Sequence, residues 1–220
     1  MKLELVIFDM DGLMFETEKI YFESAVKTLK EMGHEHDIET HLKTIGTACK
    51  DAGEIYQGKY GCFDDYASFC ENIRQNKINY VLINGIPIKI GLLELLEFLD
   101  ENGIKTAIAS SSPMENILKN LKTTGLTHEF DYIISGNDLA RSKPDPEIFV
   151  KTCKDLNISR DNAIVLEDSL NGLRAAYSAG VKCIVVPDMI SPDAEMMGKA
   201  WRIEENLLDV KTFLEHMIGG

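Results

Sequence analysis

The 220-residue chain is 45% hydrophobic and 27% charged, enough for one substantial core with a smaller second module and without a disordered or low-complexity tract. Its net charge of −13 repels a polyanionic backbone, and no Lys/Arg cluster falls on a predicted face, so nucleic acid is not an expected partner. Five scattered cysteines without a C-x-x-C pair argue against a disulfide framework or a zinc site; with no signal-peptide or membrane-span pattern, the expected state is reduced thiols in the cytoplasm.

The first predicted element is a buried strand over Leu3–Phe8, which runs into Asp9-Met10-Asp11-Gly12. Strand alternation sends Asp9 and Asp11 to one side, and Gly12 lets the chain turn so that both face one edge pocket. Two neighbouring carboxylates repel each other unless a cation or a shared proton relieves them, which suggests a magnesium site. Acidic residues at strand ends are also ordinary turn formers, so the pair by itself leaves both readings open.

Residues 16–83 break the strand pattern. Tyr21, Phe22, Ala25, Val26 and Leu29 carry a helical period and Tyr66, Phe69, Cys70 and Ile73 another, with turns suggested at Gly33, Gly53, Gly58 and Gly61. This is a helical insertion suited to a lid over the active edge of a sheet. His34, His36 and His41 resemble a metal cluster in composition only and read as residues of a solvated loop.

Beyond residue 84, Leu92, Leu95, Leu96 and Leu99 form a core-facing helical stripe. Strands predicted at Ile104–Ala109, Tyr132–Ile134, Ala163–Leu166 and Val181–Val186 then alternate with helices marked by Ile117, Leu118 and Leu121, and by Ile148, Phe149, Thr152 and Cys153. The alternation predicts an α/β fold: a doubly wound parallel sheet covered on both faces, built from residues 1–15 and 84–220, with 16–83 as a small helical domain inserted after the first strand. Ligands of such sheets bind outside the C-terminal strand ends.

Three further strand ends carry chemistry. Ser110-Ser111-Ser112-Pro113 brings hydroxyls and backbone N–H groups to a helix start, which suits a phosphate oxygen, although Ser and Pro are also ordinary helix-start residues. Lys143, ahead of Pro144-Asp145-Pro146, offers an ammonium on a rigid backbone; it gains weight from the phosphate that the other elements predict. Glu167-Asp168 directly follows a wholly apolar strand, and Ser169 reads as the cap of the next helix. Carboxylates from two strand ends suffice to bracket one magnesium ion.

The ordered set Asp9-Met10-Asp11-Gly12, Ser110, Lys143-Pro144 and Glu167-Asp168-Ser169 resembles the four motifs of the haloacid dehalogenase superfamily, and Gly12 to Glu18 is similar to the cap opening of its β-phosphoglucomutase-like branch. The likeness covers nearly the whole chain, including Asn171-Gly172, Ala175-Ala176 and Ala179-Gly180. It implies a Rossmann-like core with a cap domain, and a magnesium-dependent phosphatase acting on a small phosphomonoester, a sugar phosphate, through an aspartyl-phosphate. By this resemblance Asp9 attacks phosphorus, while Asp11 protonates the leaving group and then activates water. Asp9, the backbone carbonyl of Asp11 and Asp168 hold the magnesium, Glu167 lies in or just outside its coordination sphere, and Ser110, Ser111 and Lys143 hold the phosphoryl group.

Substrate selectors implied for the cap are Glu16, where the family commonly has aspartate, and Thr47 and Lys50 in the Gly46–Lys50 loop. Tyr21 stands where mutases of the branch carry histidine, which favours hydrolysis over the alternative of a phosphosugar mutase. A phospho-receiver module shares an acidic pocket, a hydroxyl and a lysine, but lacks a large helical insertion. A mobile lid points to a monomer, with no membrane partner.

Overall fold

Leu5–Phe8 (β1) is apolar and wholly buried, a run too short for a helix and suited to the middle of a sheet covered on both faces. The computed structural model describes residues 2–45, 49–61 and 66–219, with the backbone alone for 49–51. The chain divides into two compact units, one of Thr17–Ile86 and one of Met1–Glu16 with Pro87–Gly220.

The Thr17–Ile86 unit holds the helices Thr17–Glu31 (α1), Ile38–Leu42 (α2), Cys49–Tyr60 (α3) and Tyr66–Asn84 (α4). Its core joins Ala25 and Leu29 of α1 to Tyr56 of α3 and to Phe69 and Ile73 of α4, and Asn76 donates to Thr28 Oγ1 at 2.9 Å between α4 and α1. Two expectations fail in this unit. Gly53 and Gly58 lie inside α3 rather than in turns. A Cβ at Gly53 would sit 2.8 Å from the Tyr66 ring, so close packing outweighs the ~1 kcal/mol that glycine costs a helix.

The histidines pack among aromatic rings, His41 wholly and His34 and His36 in part. His41 is fully buried in α2, its ring centroid 5.0 Å from that of Phe22 and 5.5 Å from that of Tyr21. His36 is half-buried, 5.4 Å from the Tyr56 ring centroid and with Nδ1 2.8 Å from the Tyr60 hydroxyl. The His34 ring lies 5.4 Å from that of Tyr60. The local sequence is polar, so nothing in it announces that the aromatic faces of α1 and α3 will cover it. Burial holds His41 down to about 4, with His36 adding to the effect and the Glu18 backbone opposing it; burial also lowers His36.

In the other unit the chain continues through Leu92–Glu101 (α5), Lys105–Ser110 (β2), Met114–Thr124 (α6), Tyr132–Ser135 (β3), Glu147–Asp155 (α7), Ala163–Glu167 (β4), Leu170–Ala179 (α8), Lys182–Val185 (β5), Ala194–Lys199 (α9), Arg202–Ile203 (β6) and Leu207–Gly219 (α10). The six strands form one parallel sheet in the order β3-β2-β1-β4-β5-β6. Leu5, Ile7, Ala107, Ala109, Val165 and Cys183 point to the face covered by α7, α8 and α9, where Phe149, Leu173 and Met196 close the core. The alternate residues Val6, Phe8, Ile108 and Leu166 are equally buried on the opposite face, and α5, packed on β2 and α10, supplies Leu92, Leu95 and Leu99. β6 was not predicted: it is two residues long, exposed and at the sheet edge.

Phe8 pairs with Ile108 on one side and Leu166 on the other, so the residues beyond β1, β2 and β4 emerge in one row. Strand order runs outward from β1 in both directions, through β2 and β3 on one side and β4, β5 and β6 on the other, which makes this edge the topological switch point.

Candidate active site

Asp9 follows β1 directly, and its N–H donates to Leu166 O at 3.0 Å, so the backbone is still in the ladder when the carboxylate appears. Asp9 is 7% exposed. Beside it, the Lys143 ammonium donates to Asp9 Oδ1 at 2.6 Å, Glu167 Oε1 at 2.7 Å and Ala109 O at 2.8 Å. All three donors of the ammonium are thus used, one on each of the β1, β2 and β4 ends.

Glu167 is fully buried, and its second oxygen accepts from Ser169 N at 3.2 Å and Ser169 Oγ at 3.0 Å. Ser169 also caps α8, accepting from Gly172 N at 3.1 Å. Gly172 makes the room: a Cβ there would lie 1.7 Å from Glu167 Oε1. The Asn171-Gly172 pair of the sequence therefore has a steric reason in the carboxylate it shelters.

Asp11, half-buried, is held from the other side. Its Oδ2 accepts from Ser112 Oγ at 2.6 Å, while Ser112 N donates to Ser110 Oγ at 3.0 Å and Ser112 O accepts from Ser135 Oγ at 2.7 Å. Ser110 is buried at the end of β2, whereas Ser111 is exposed. Sequence reading missed Ser112. Strand alternation was the available signal, since it places positions 110 and 112 on one side and 111 on the other.

Burial pushes the Asp9 carboxyl up to about 7 against the pull of Lys143, with Glu167 and Asp11 adding to the push. Asp168 is carried well above the carboxylate range by burial, then by Glu167, Asp9 and Asp188. Burial alone would lower the Lys143 ammonium, but Asp9 and Glu167 outweigh it and raise it. One lysine therefore does not balance the carboxylates gathered here. Asp9, Glu167 and Asp168 each present an oxygen, all within 4.8 Å of one another. A hard, all-oxygen donor set with surplus negative charge fits a magnesium-type cation.

Glu16 ends a tight loop in which Gly12 N donates to Phe15 O at 3.0 Å and Glu16 N to Pro87 O at 3.0 Å; it lines a separate cleft of about 150 Å³ with Lys89, Ile90, Pro187 and Asn206. Lys50 is the second residue of α3, and Thr47 lies outside the described residues. Among the described residues, Cys70, Cys153 and Cys183 are free thiols, and no helix is long and apolar enough to cross a membrane.

A family model described as haloacid dehalogenase-like hydrolase matches residues 6–186. The phosphorylated carbohydrates phosphatase of Thermotoga maritima is 31% identical over 182 residues, covering 83% of this chain and 84% of its own length. The validoxylamine A 7'-phosphate phosphatase of Streptomyces hygroscopicus subsp. limoneus is 26% identical over 94% of this chain and 96% of its own. Among solved structures, CbbY of Rhodobacter sphaeroides in complex with xylulose-(1,5)bisphosphate superposes with a TM-score of 0.74 at 26% identity, covering 94% of this chain and 96% of that one.

Proposed function

The chain belongs to the haloacid dehalogenase-like hydrolases, and from that premise we propose that it is a magnesium-dependent phosphatase hydrolysing a sugar phosphate through an aspartyl-phosphate on Asp9. The observation that carries this reading is the placement of Asp9: a buried carboxylate at the switch point of the sheet, charge-paired to Lys143 and two residues from a second carboxylate held by Ser112. The relative named for phosphorylated carbohydrates and the CbbY complex with xylulose-(1,5)bisphosphate support the substrate class.

In the proposed reaction an Asp9 oxygen attacks phosphorus, the bond from phosphorus to the sugar oxygen breaks, and Asp11 delivers its proton to the departing oxygen. Asp11, now ionised, accepts a proton from water as that water attacks the aspartyl-phosphate, releasing inorganic phosphate and the Asp9 carboxylate. Lys143 offsets the charge of Asp9 and of the incoming phosphoryl oxygens, and Ser110 and Ser111 supply hydrogen bonds to them. Asp9, Asp168 and the Asp11 backbone carbonyl would hold magnesium, which supplies positive charge against the phosphate dianion. Both Glu167 oxygens are engaged by Lys143 and Ser169, which suits a residue just outside the ion's ligands. In this reading Thr17–Ile86 is the cap domain, with Thr47 and Lys50 as selectors.

The test is turnover of a panel of phosphosugars with magnesium by the parent and Asp9→Asn, following both inorganic phosphate and sugar products. Loss of several orders of magnitude and equimolar free phosphate in the parent are expected. An Asp9→Asn enzyme as fast as the parent removes the nucleophile from the scheme. Isomerised phosphosugar with little free phosphate replaces hydrolysis by mutase chemistry.

A further inference from the structure

Lys89, at the turn before α5, forms an ion pair with Asp188 in the loop after β5; the two side chains are only 21% and 13% exposed. Lys89 engages Asp188 Oδ1 alone. The other oxygen, Oδ2, is buried and has no hydrogen-bond partner among the described residues. It lies beside Gly12, where a Cβ would be 3.4 Å from Asp188 Oδ2 and 2.3 Å from Asp168 Oδ2. Two carboxylate oxygens from different strand ends thus converge over one glycine, whose φ of 87° also bars most other residues.

An unpartnered buried anionic oxygen is costly, and a second carboxylate beside it adds repulsion. Among the described residues no donor offsets it. Asp188 is not among the carboxylates that lie within 4.8 Å of one another, so it is not a direct ligand together with Asp9, Glu167 and Asp168. A magnesium-type ion keeps several waters, each a hydrogen-bond donor made more acidic by the metal. Loss of a partner that holds such outer groups typically costs about 10–100-fold in metal affinity.

We propose that Lys89 and Asp188 form a positioning pair for the cation: Asp188 Oδ2 accepts a hydrogen bond from a water carried by the ion that Asp168 holds, and Lys89 fixes the Asp188 carboxylate and neutralises its remaining charge. This rests on the magnesium-dependent reading. A purely structural tie between the start of α5 and the β5 loop would lower stability and leave cation affinity unchanged.

The experiment is calorimetric titration of Mg²⁺ into the metal-stripped parent, Asp188→Ala and Asp188→Asn, with thermal melts of the stripped proteins. Asp188→Ala is expected to weaken Mg²⁺ binding by about 10-fold or more. Asp188→Asn keeps an acceptor oxygen and is expected to fall between it and the parent, which also serves the test should the alanine variant not fold. At saturating Mg²⁺ the KM for a phosphosugar stays at the parent value while the Mg²⁺ concentration for half-maximal rate rises. Parent-like Mg²⁺ affinity in both variants overturns the pair's role and leaves the metal reading standing. Absence of Mg²⁺ binding to the parent overturns the metal reading itself.

Discussion

Gly172→Ala sets two physical rules against each other. Gly172 lies in the first turn of α8, where helix propensity alone predicts that alanine stabilises the protein by ~1 kcal/mol. The local geometry predicts the opposite, because the new methyl would lie 1.7 Å from Glu167 Oε1, 1.9 Å from Cδ and 2.3 Å from Oε2. Glu167 is fully buried and must swing by well over an ångström, straining or breaking its 2.7 Å bond to Lys143 and its bonds to Ser169. Overpacking costs ~1–3 kcal/mol and a lost charge-assisted hydrogen bond ~1.5–3 kcal/mol. After subtracting the propensity gain, a net loss of roughly 2–4 kcal/mol is expected, a fall in Tm of roughly 5–15 °C for a chain of this size. The assay is thermal and urea unfolding followed by the fluorescence of Trp201, the single tryptophan, which lies in the same unit. Gly58→Ala is the control: it lies in the last turn of α3 with nothing within 4 Å and should gain stability, followed by far-UV circular dichroism because Trp201 belongs to the other unit. A Gly172→Ala protein as stable as the parent would refute the claim that this glycine exists to shelter Glu167.

Ser112→Ala removes the 2.6 Å donor that fixes Asp11, so kcat for a phosphosugar should fall by roughly 10–100-fold, as expected for a hydrogen bond to a charged group, with KM little changed; an unchanged kcat in steady-state kinetics would detach Ser112 from the acid. The buried histidines predict acid sensitivity of the Thr17–Ile86 unit. With His41 at 6.5 unfolded and about 4 folded, the unfolded state binds more protons between those values, so stability falls as pH drops through that window by ~1.4 kcal/mol per pH unit for one such group. Hydrogen exchange of α1 and α2 amides at pH 7 and pH 5 measures this, and His41→Leu should flatten the dependence; equal slopes would remove His41 as its source.

The core of the fold could be read from sequence because the physics there is local. Leu5–Phe8, Lys105–Ser110 and Ala163–Glu167 are apolar runs buried on both faces, and each expected strand lies within one or two residues of its place. Asp9, Lys143 and Glu167 could be nominated one at a time, but the lysine's grip on both carboxylates spans 134 and 24 residues of chain and belongs to the topology. The same holds for Asp188, whose partner Lys89 is 99 residues away, and for the buried His41 in a polar stretch. Gly53 and Gly58 carried the composition of turns, yet the packing of Tyr66 and the continuity of α3 decided their conformation. Ser112 could not be singled out because a run of three serines hides which hydroxyl the end of the strand turns towards Asp11.

The triple engagement of Lys143 has an evolutionary consequence. A single side chain ties three strand ends together through buried contacts, so a copy of this gene freed from selection for turnover would still be held to that lysine by selection for folding. Asp11, half-buried and held at the rim by one serine, is under no such double obligation. Among descendants of a common ancestor, loss of the acid would precede loss of the lysine, and a surviving lysine would be a poor witness to surviving chemistry.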